Sequence, residues 1–93
     1  MHTFTKPLIE SLYTGERIGN IYLQWECSHI DTIKYFRITR STLQNGTEFI
    51  GTCTSTLFVD KNVHTSKIKR YTIEAVNYAG DVVATLVKPV SEQ

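Results

Sequence analysis

Residues 71–80 read YTIEAVNYAG, and no other stretch says more about the architecture of this chain. Apolar side chains alternate with polar ones over its first five positions, the apolar ones being Tyr71, Ile73 and Ala75. A period of two is the pattern of a β-strand with one face in a hydrophobic core. The four residues that follow, 77–80, include Asn and Gly, which tolerate the positive φ angles of tight turns. The stretch therefore predicts a half-buried strand that runs directly into a turn.

Length and composition indicate one small domain. The chain has 93 residues, of which 41% are hydrophobic and 20% charged, and its formal net charge is +1. A chain of this length buries roughly 60–65% of its unfolded surface, which is enough for one hydrophobic core. The nearly neutral balance gives no global field to steer nucleic acid, and no apolar run approaches the ~20 residues of a membrane span. We therefore expect a single domain over residues 1–93 that neither binds nucleic acid nor inserts into a membrane.

Alternating runs separated by turn residues recur along the chain, whereas no segment keeps a helical period over three turns. This organisation is typical of an all-β sandwich. The seven predicted strands cover Pro7–Leu12, Ile18–Glu26, Ile33–Arg40, Glu48–Cys53, Thr56–Asp60, Lys69–Asn77 and Val82–Lys88. The pair Asn45-Gly46 is a strong hairpin signal and joins the third predicted strand to the fourth.

The alternation also assigns the side chains that face the core. On the second predicted strand Ile21, Leu23 and Trp25 point inward, and on the third Phe36 and Ile38 do so. Their neighbours along each strand point outward. We expect the Trp25 ring at the centre of the core, in contact with the inward faces of the third and sixth strands.

Four segments together resemble the fibronectin type III domain. Residues 71–80 are similar to the sixth strand of that family, and residues 23–25, LQW, resemble its second-strand pattern, in which the Trp is the central ring. Residues 36–41, FRITRS, are similar to the third-strand pattern with Phe in place of the usual Tyr. Residues 58–60, FVD, resemble the bacterial form of the exit from the fifth strand. The resemblance spans residues 6–88 and implies a seven-stranded antiparallel immunoglobulin-like β-sandwich.

One position departs from the pattern of the family. Lys69 stands where the family carries a Tyr whose hydroxyl ties down the preceding loop, although Val63 keeps the spacing of the Leu that anchors this loop. We expect Ile68 or Tyr71 to take over part of the packing that this ring provides.

The topology that the resemblance implies sorts the loops between two ends of the sandwich. Residues 27–33, 53–56 and 77–82 would share one end, and residues 13–18, 41–47 and 61–68 would share the other. Loops held by a rigid sandwich can vary without unfolding it, and the first end carries a mixed apolar and polar set suited to a protein surface. The residues predicted to bind a partner are His29, Ile30, Asp31, Tyr78 and Asp81.

The same sorting argues against an active site or a metal site. His29 and His64 fall at opposite ends and His2 lies on the amino-terminal arm, so these residues cannot form a metal-ligand set or a catalytic triad. Asp31 and Asp81 share one end, but a Ca²⁺ site needs about six oxygen ligands, and these carboxylates fit two solvated loop acids. We expect no catalytic residue, no cofactor and no metal, and an enzyme with an unrecognised loop site stays open as an alternative.

Two other ligand classes leave weaker signals. Sugar binding needs exposed aromatic rings on one face, and the outward rings of Tyr22, Tyr35 and Tyr78 fall on different surfaces. A basic cluster around the fifth loop could engage a polyanion, yet acidic residues including Glu48 and Asp60 share that end and partly cancel its field. The basic cluster comprises Lys61, His64, Lys67, Lys69 and Arg70.

The two cysteines, Cys27 and Cys53, both fall toward the first end of the sandwich. A disulfide between them would fit an extracellular module. Two small buried thiols are the alternative, because the family generally manages without disulfides. The sequence leaves both open.

The resemblance implies a non-catalytic spacer, scaffold or protein-interaction module of a larger surface, secreted or phage structural protein. Its partners would be another protein or the neighbouring domains, and its location would be extracellular or on a cell or virion surface, as part of a longer chain. The rival function is that of a carbohydrate-binding accessory module of a secreted glycoside hydrolase. A solvent-exposed row of aromatic rings would favour that rival.

Overall fold

The computed structural model describes residues 9–17, 19–43, 46–61 and 68–89, and these residues form an all-β structure. Its strands are β1 (Ile9–Arg17), β2 (Asn20–Cys27), β3 (Ile33–Thr42), β4 (Gly46–Cys53), β5 (Leu57–Lys61), β6 (Ile68–Asn77) and β7 (Val82–Pro89), and a 3-10 turn covers Ile30–Thr32. The strands form two antiparallel sheets with the orders β1-β2-β5 and β4-β3-β6-β7. The predicted all-β class with seven strands in a two-sheet arrangement is confirmed. Within the described ranges, no helix is long and apolar enough to cross a membrane.

A hydrophobic core lies between the two sheets. The Trp25 ring is buried there and meets the Phe36 ring edge-on, with 5.3 Å between the centroids and 72° between the planes. The core cluster consists of Ile9, Ile21, Leu23, Trp25, Ile33, Phe36, Ile38, Ile68, Tyr71, Ile73 and Ala75. Every side chain predicted to face inward on β2, β3 and β6 belongs to this cluster, because each strand keeps its period of two over those positions. Ile33 and Ile68 join the core where the pairing of β3 with β6 is irregular.

The first strand is longer than the sequence predicts. The prediction ended it at Leu12 and placed residues 13–18 in a loop, whereas β1 continues to Arg17. Arg17 pairs with Asn20 of β2, so the connection between the strands is short, and Gly19 within it has a φ of 76°. The loop prediction was wrong because pairing with a neighbouring strand outweighs the weak local preference of this segment for a turn.

The predicted hairpin between β3 and β4 is present, and it is tighter than expected. β3 runs past the predicted end at Arg40, and β4 begins at Gly46 instead of Glu48. Thr42 pairs with Gly46, whose φ of 69° suits a residue without a side chain. β5, β6 and β7 agree with their predicted boundaries to within one residue at each end.

A charged cluster, which we call the Arg40 cluster, ties the two sheets together near the β3–β4 hairpin. Arg40 Nη1 donates to both carboxylate oxygens of Asp60 at 2.7 and 2.8 Å. Arg40 Nε and Nη2 donate to Glu48 Oε2 at 3.2 and 2.7 Å, and the Tyr71 hydroxyl donates to Asp60 Oδ2 at 2.6 Å. Asp60 is 6% exposed and belongs to β5, whereas the other three residues belong to the opposite sheet. The cluster therefore links the sheets through buried, charge-assisted hydrogen bonds.

These bonds change how the acidic residues at this end are understood. Glu48 and Asp60, which were expected to share this end with the basic cluster and to cancel part of its field, both form ion pairs with Arg40. Burial, the hydrogen bond to Asp60 and the charge of Asp60 all raise the pKa of Tyr71. Burial lowers the pKa of Arg40, but its hydrogen bonds to Glu48 and Asp60 outweigh this effect and raise that pKa. Tyr71 and Ile68, which were expected to replace the ring missing at position 69, both lie in the core.

Candidate partner-binding surface

Three loops share one end of the sandwich, which we call the loop pole: residues 28–32, 54–56 and 78–81. Ile33 at the start of β3 pairs with Asn77 at the end of β6, so the first and third loops lie side by side. The second loop lies against the end of β2, because the Trp25 amide donates to the Thr56 carbonyl at 3.1 Å. The predicted grouping of these three loops agrees with the strand pairing.

The first loop is held by its own hydrogen bonds. Its Thr32 amide and hydroxyl both donate to the His29 carbonyl, at 3.0 and 2.7 Å. His29 adopts the left-handed conformation, with φ 55° and ψ 40°, which few residues with a side chain adopt. The loop is thereby fixed in a tight bend, and Ile30 and Asp31 at its tip are exposed.

The third loop is built around the side chain of Asn77. Its Oδ1 accepts hydrogen bonds from the amides of Ala79 at 3.0 Å and Asp81 at 2.9 Å. The Asn77 backbone closes the same turn through its amide to Asp81 at 2.9 Å and through its carbonyl to Gly80 at 3.0 Å. Gly80 has a φ of 92°, and a side chain there would be strained. The fixed loop holds the ring of Tyr78 out into solvent.

The two cysteines end the strands that lead into the first and second loops, Cys27 in β2 and Cys53 in β4. Cys53 donates a hydrogen bond from its thiol to the Ser55 carbonyl at 3.3 Å, and Cys27 donates to the Ser28 carbonyl at 3.3 Å. Both thiols are free and half-buried, and the disulfide that the sequence left open is not present. Burial raises the pKa of both thiols, which disfavours the thiolate form that a nucleophile needs.

Exposed apolar side chains concentrate at the loop pole. Seven large hydrophobic residues are exposed in the described part of the chain, and four of them lie in these loops or on the strand residues beside them. These four, each between 45% and 69% exposed, are Ile30, Leu57, Tyr78 and Val82. Sequence reasoning missed Leu57, because its exposure depends on pairing with the outward-facing Gln24 and no local signal reveals that register.

All five residues predicted to bind a partner lie at the loop pole and are exposed. His29, Ile30 and Asp31 occupy the first loop, and Tyr78 and Asp81 occupy the third. They combine the apolar surface of Ile30 and Tyr78 with three polar side chains, and their role in binding stays a prediction. In the part of the chain that the structure describes, no group of three or more His, Cys, Asp or Glu side chains could hold a metal ion.

The structure describes only part of the predicted basic cluster at the opposite end of the sandwich. Lys61 and Arg70 of the predicted basic cluster are exposed there. His64 and Lys67, like His2, lie outside the described residues, and the side chain of Lys69 is not described either. The polyanion hypothesis therefore rests on the two exposed cations.

No protein-family model matches the chain, and no curated protein matches it. Among solved structures, the chain is similar to the pectate lyase Pel3 of Pectobacterium carotovorum, with a TM-score of 0.59 and 20% sequence identity. The match covers 87% of this chain and 26% of that one, so the chain spans about a quarter of the length of the lyase. At this identity the likeness concerns the fold alone.

Proposed function

We propose that the chain is a fibronectin type III-like module that acts as a non-catalytic spacer, scaffold or protein-interaction unit of a larger surface, secreted or phage structural protein. Two observations support the family assignment beside the sequence motifs. The seven strands form two antiparallel sheets, as the resemblance implies, and Trp25 is buried between them. The likeness to about a quarter of a longer chain suits a module that works as one part of a larger protein.

Binding is proposed to occur at the loop pole, and one observation carries this proposal. Four of the seven large hydrophobic side chains that are exposed in the described part of the chain gather on, or directly beside, loops that hydrogen bonds already fix. A surface that is ordered before binding loses little conformational entropy when a partner docks. Tyr78 suits the role of anchor because its ring offers much contact area with few rotatable bonds.

The experiment compares the parent with the double variant Ile30→Ser, Tyr78→Ala. The partner is first identified in the native host, and its affinity for the purified chain is then measured by calorimetry. The double variant should melt within ~2 °C of the parent, because both side chains are exposed, and it should bind at least ~10-fold more weakly. The control is Leu43→Ser, which removes a 70% exposed leucine at the other end and should leave the affinity unchanged.

Two results would contradict this placement. If the double variant binds the partner with the affinity of the parent, the loop pole is not part of the interface. Affinity that falls instead on Lys61→Ala, Arg70→Ala would move the site to the opposite end and favour a polyanionic ligand.

A carbohydrate-binding accessory module is the second candidate, and the likeness to part of a pectate lyase is the observation that favours it. Under the main proposal, titration with pectate gives no saturable binding. Saturable binding that disappears in Tyr78→Ala would establish the sugar-binding function in its place.

A further inference from the structure

The four-stranded sheet has an outer face, formed by the side chains of β4, β3, β6 and β7 that point away from the core. Strand pairing arranges its central side chains in two rows that run across all four strands. The first row, from β4 to β7, is Phe49, Thr39, Thr72 and Val87. The second row, in the same order, is Thr52, Arg37, Glu74 and Thr85.

Both rows are accessible to a partner. Phe49 is 55% exposed and Val87 is 50% exposed, so each end of the first row presents an apolar side chain to solvent. In the second row, Arg37 Nη1 lies 3.4 Å from Glu74 Oε1, and the Arg37 guanidinium stands 5.6 Å from the centroid of the Phe49 ring. The one cation and the one anion leave the two rows without net charge.

Each row has the same order of chemical groups whether it is followed from β4 to β7 or from β7 to β4. The first row is apolar, hydroxyl, hydroxyl, apolar, and the second is hydroxyl, charge, charge, hydroxyl, with opposite signs at the two central positions. A surface of this kind is complementary to its own copy turned through a two-fold axis, which is the requirement of an isologous interface.

We propose that the chain forms a symmetric dimer through this outer face, with the two-fold axis lying along the strands between β3 and β6. This axis sets β6 of the second copy over β3 of the first. Arg37 then faces the partner's Glu74, Thr39 faces the partner's Thr72, and Phe49 faces the partner's Val87. Sheets packed face to face cross at about 30°, so these central rows make the closest approach.

The size of the face determines how strong this association is. Four strands about 4.8 Å apart and roughly eight residues long, at about 3.3 Å per residue, give about 500 Å² per copy. Standard stable interfaces bury about 800 Å² per partner. The dimer is therefore weak and depends on concentration, and reversal of one charge is enough to break it.

The test is sedimentation equilibrium of the 93-residue chain and two charge-reversal variants, Arg37→Glu and Glu74→Arg, from about 10 µM to about 1 mM. The parent dimerises within this range. Each variant alone associates at least ~10-fold more weakly, because like charges face each other at both symmetric contacts. An equimolar mixture of the two variants recovers the association of the parent, because the mixed dimer has opposite charges at both contacts.

Control variants distinguish this interface from contacts through the other sheet and from a loss of folding. Glu26→Arg and Lys61→Glu reverse exposed charges on the other sheet and leave the association unchanged. The double variant Arg37→Glu, Glu74→Arg keeps a reversed ion pair and dimerises like the parent, which shows that both substitutions are compatible with the fold. Recovery of association in the mixture shows that each single variant is folded. A parent that stays monomeric at about 1 mM overturns the proposal, and so does a dimer that survives either reversal or a mixture that fails to associate.

The dimer is independent of the loop pole. The double variant Ile30→Ser, Tyr78→Ala should dimerise like the parent. The same set of proteins therefore distinguishes a wrong partner site from a wrong dimer interface.

Discussion

Trp25 is the largest buried side chain in the part of the chain that the structure describes. Its ring lies between the sheets, edge-on to Phe36, and its Nε1–H has no hydrogen-bond partner among the residues that the structure describes. The burial of Trp25 was predictable, because its place in an alternating strand fixes the face on which it lies. The unpartnered nitrogen was not predictable, since it depends on which atoms the opposite sheet brings to the ring.

Trp25→Ala should lower the free energy of unfolding by about 3–5 kcal/mol, through lost burial and the cavity left behind. Trp25→Phe should cost less, because it keeps an aromatic ring and removes the unpaired donor. Urea denaturation of both variants measures the difference, with Gln24→Ala on the exposed side of β2 as the control. If Trp25→Ala unfolds at the urea concentration of the parent, the ring contributes nothing to the core.

The Arg40 cluster predicts a dependence of stability on alkaline pH. Because the folded protein holds the pKa of Tyr71 above the value of about 10 found in unfolded chains, the hydroxyl keeps its proton in the folded state after the unfolded chain has lost it. This contribution is complete below pH ~10 and is lost as pH rises above it toward the pKa of the folded state.

Tyr71→Phe should therefore have two effects. At pH 7 it should cost about 1.5–3 kcal/mol, because Asp60 loses a buried donor to a charged group. Above pH ~10 its stability should fall less steeply than that of the parent. Urea denaturation from pH 7 to 11 measures both effects, and parallel curves for the two proteins would contradict the assignment of the titrating group to Tyr71.

At the scale of the elements, local sequence signals identify the strands and their inward faces but not the contacts between sheets. β6 and β3 follow their predicted alternation at the positions predicted to face inward, because each presents one apolar face to a single layer. The bond between Arg40 and Asp60 joins residues twenty positions apart on different sheets, and neither residue stands out from its neighbours. At the loop pole, the predicted loop residues are exposed as expected, whereas the exposure of Leu57 follows from pairing with a distant strand.

Close packing between β4 and β5 gives a prediction at this scale. Gly51 has a φ of 155°, and a Cβ atom there would lie 3.0 Å from Phe58 Cζ. Gly51→Ala should therefore destabilise the protein by about 1–3 kcal/mol through overpacking. In a Phe58→Leu background the smaller side chain leaves room for the methyl group, so the same substitution should cost less there. A double-mutant cycle measured by urea denaturation tests this coupling, and additive effects of the two substitutions would rule out the contact as the cause.

At the scale of the whole molecule, the two sheets enclose one hydrophobic core and present different surfaces for different contacts. The loop pole presents apolar side chains on fixed loops, the proposed site for another protein. The outer face of the four-stranded sheet presents a pattern complementary to itself, the proposed site for a second copy. Function could not be predicted to the same depth as fold, because a sandwich of this kind supports many functions and the partner is determined by a few exposed side chains.

The central claim, that this module meets its partner through the loop pole, is tested most directly by an amide chemical-shift titration. The isotope-labelled chain is titrated by NMR with the partner identified in the native host, at a concentration low enough to keep the chain monomeric. The account predicts that the largest shifts fall on residues 28–32, 54–56 and 78–81, with little change on the strands of either sheet. Shifts centred instead on Lys61 and Arg70, or spread over the rows around Arg37 and Glu74, would contradict it.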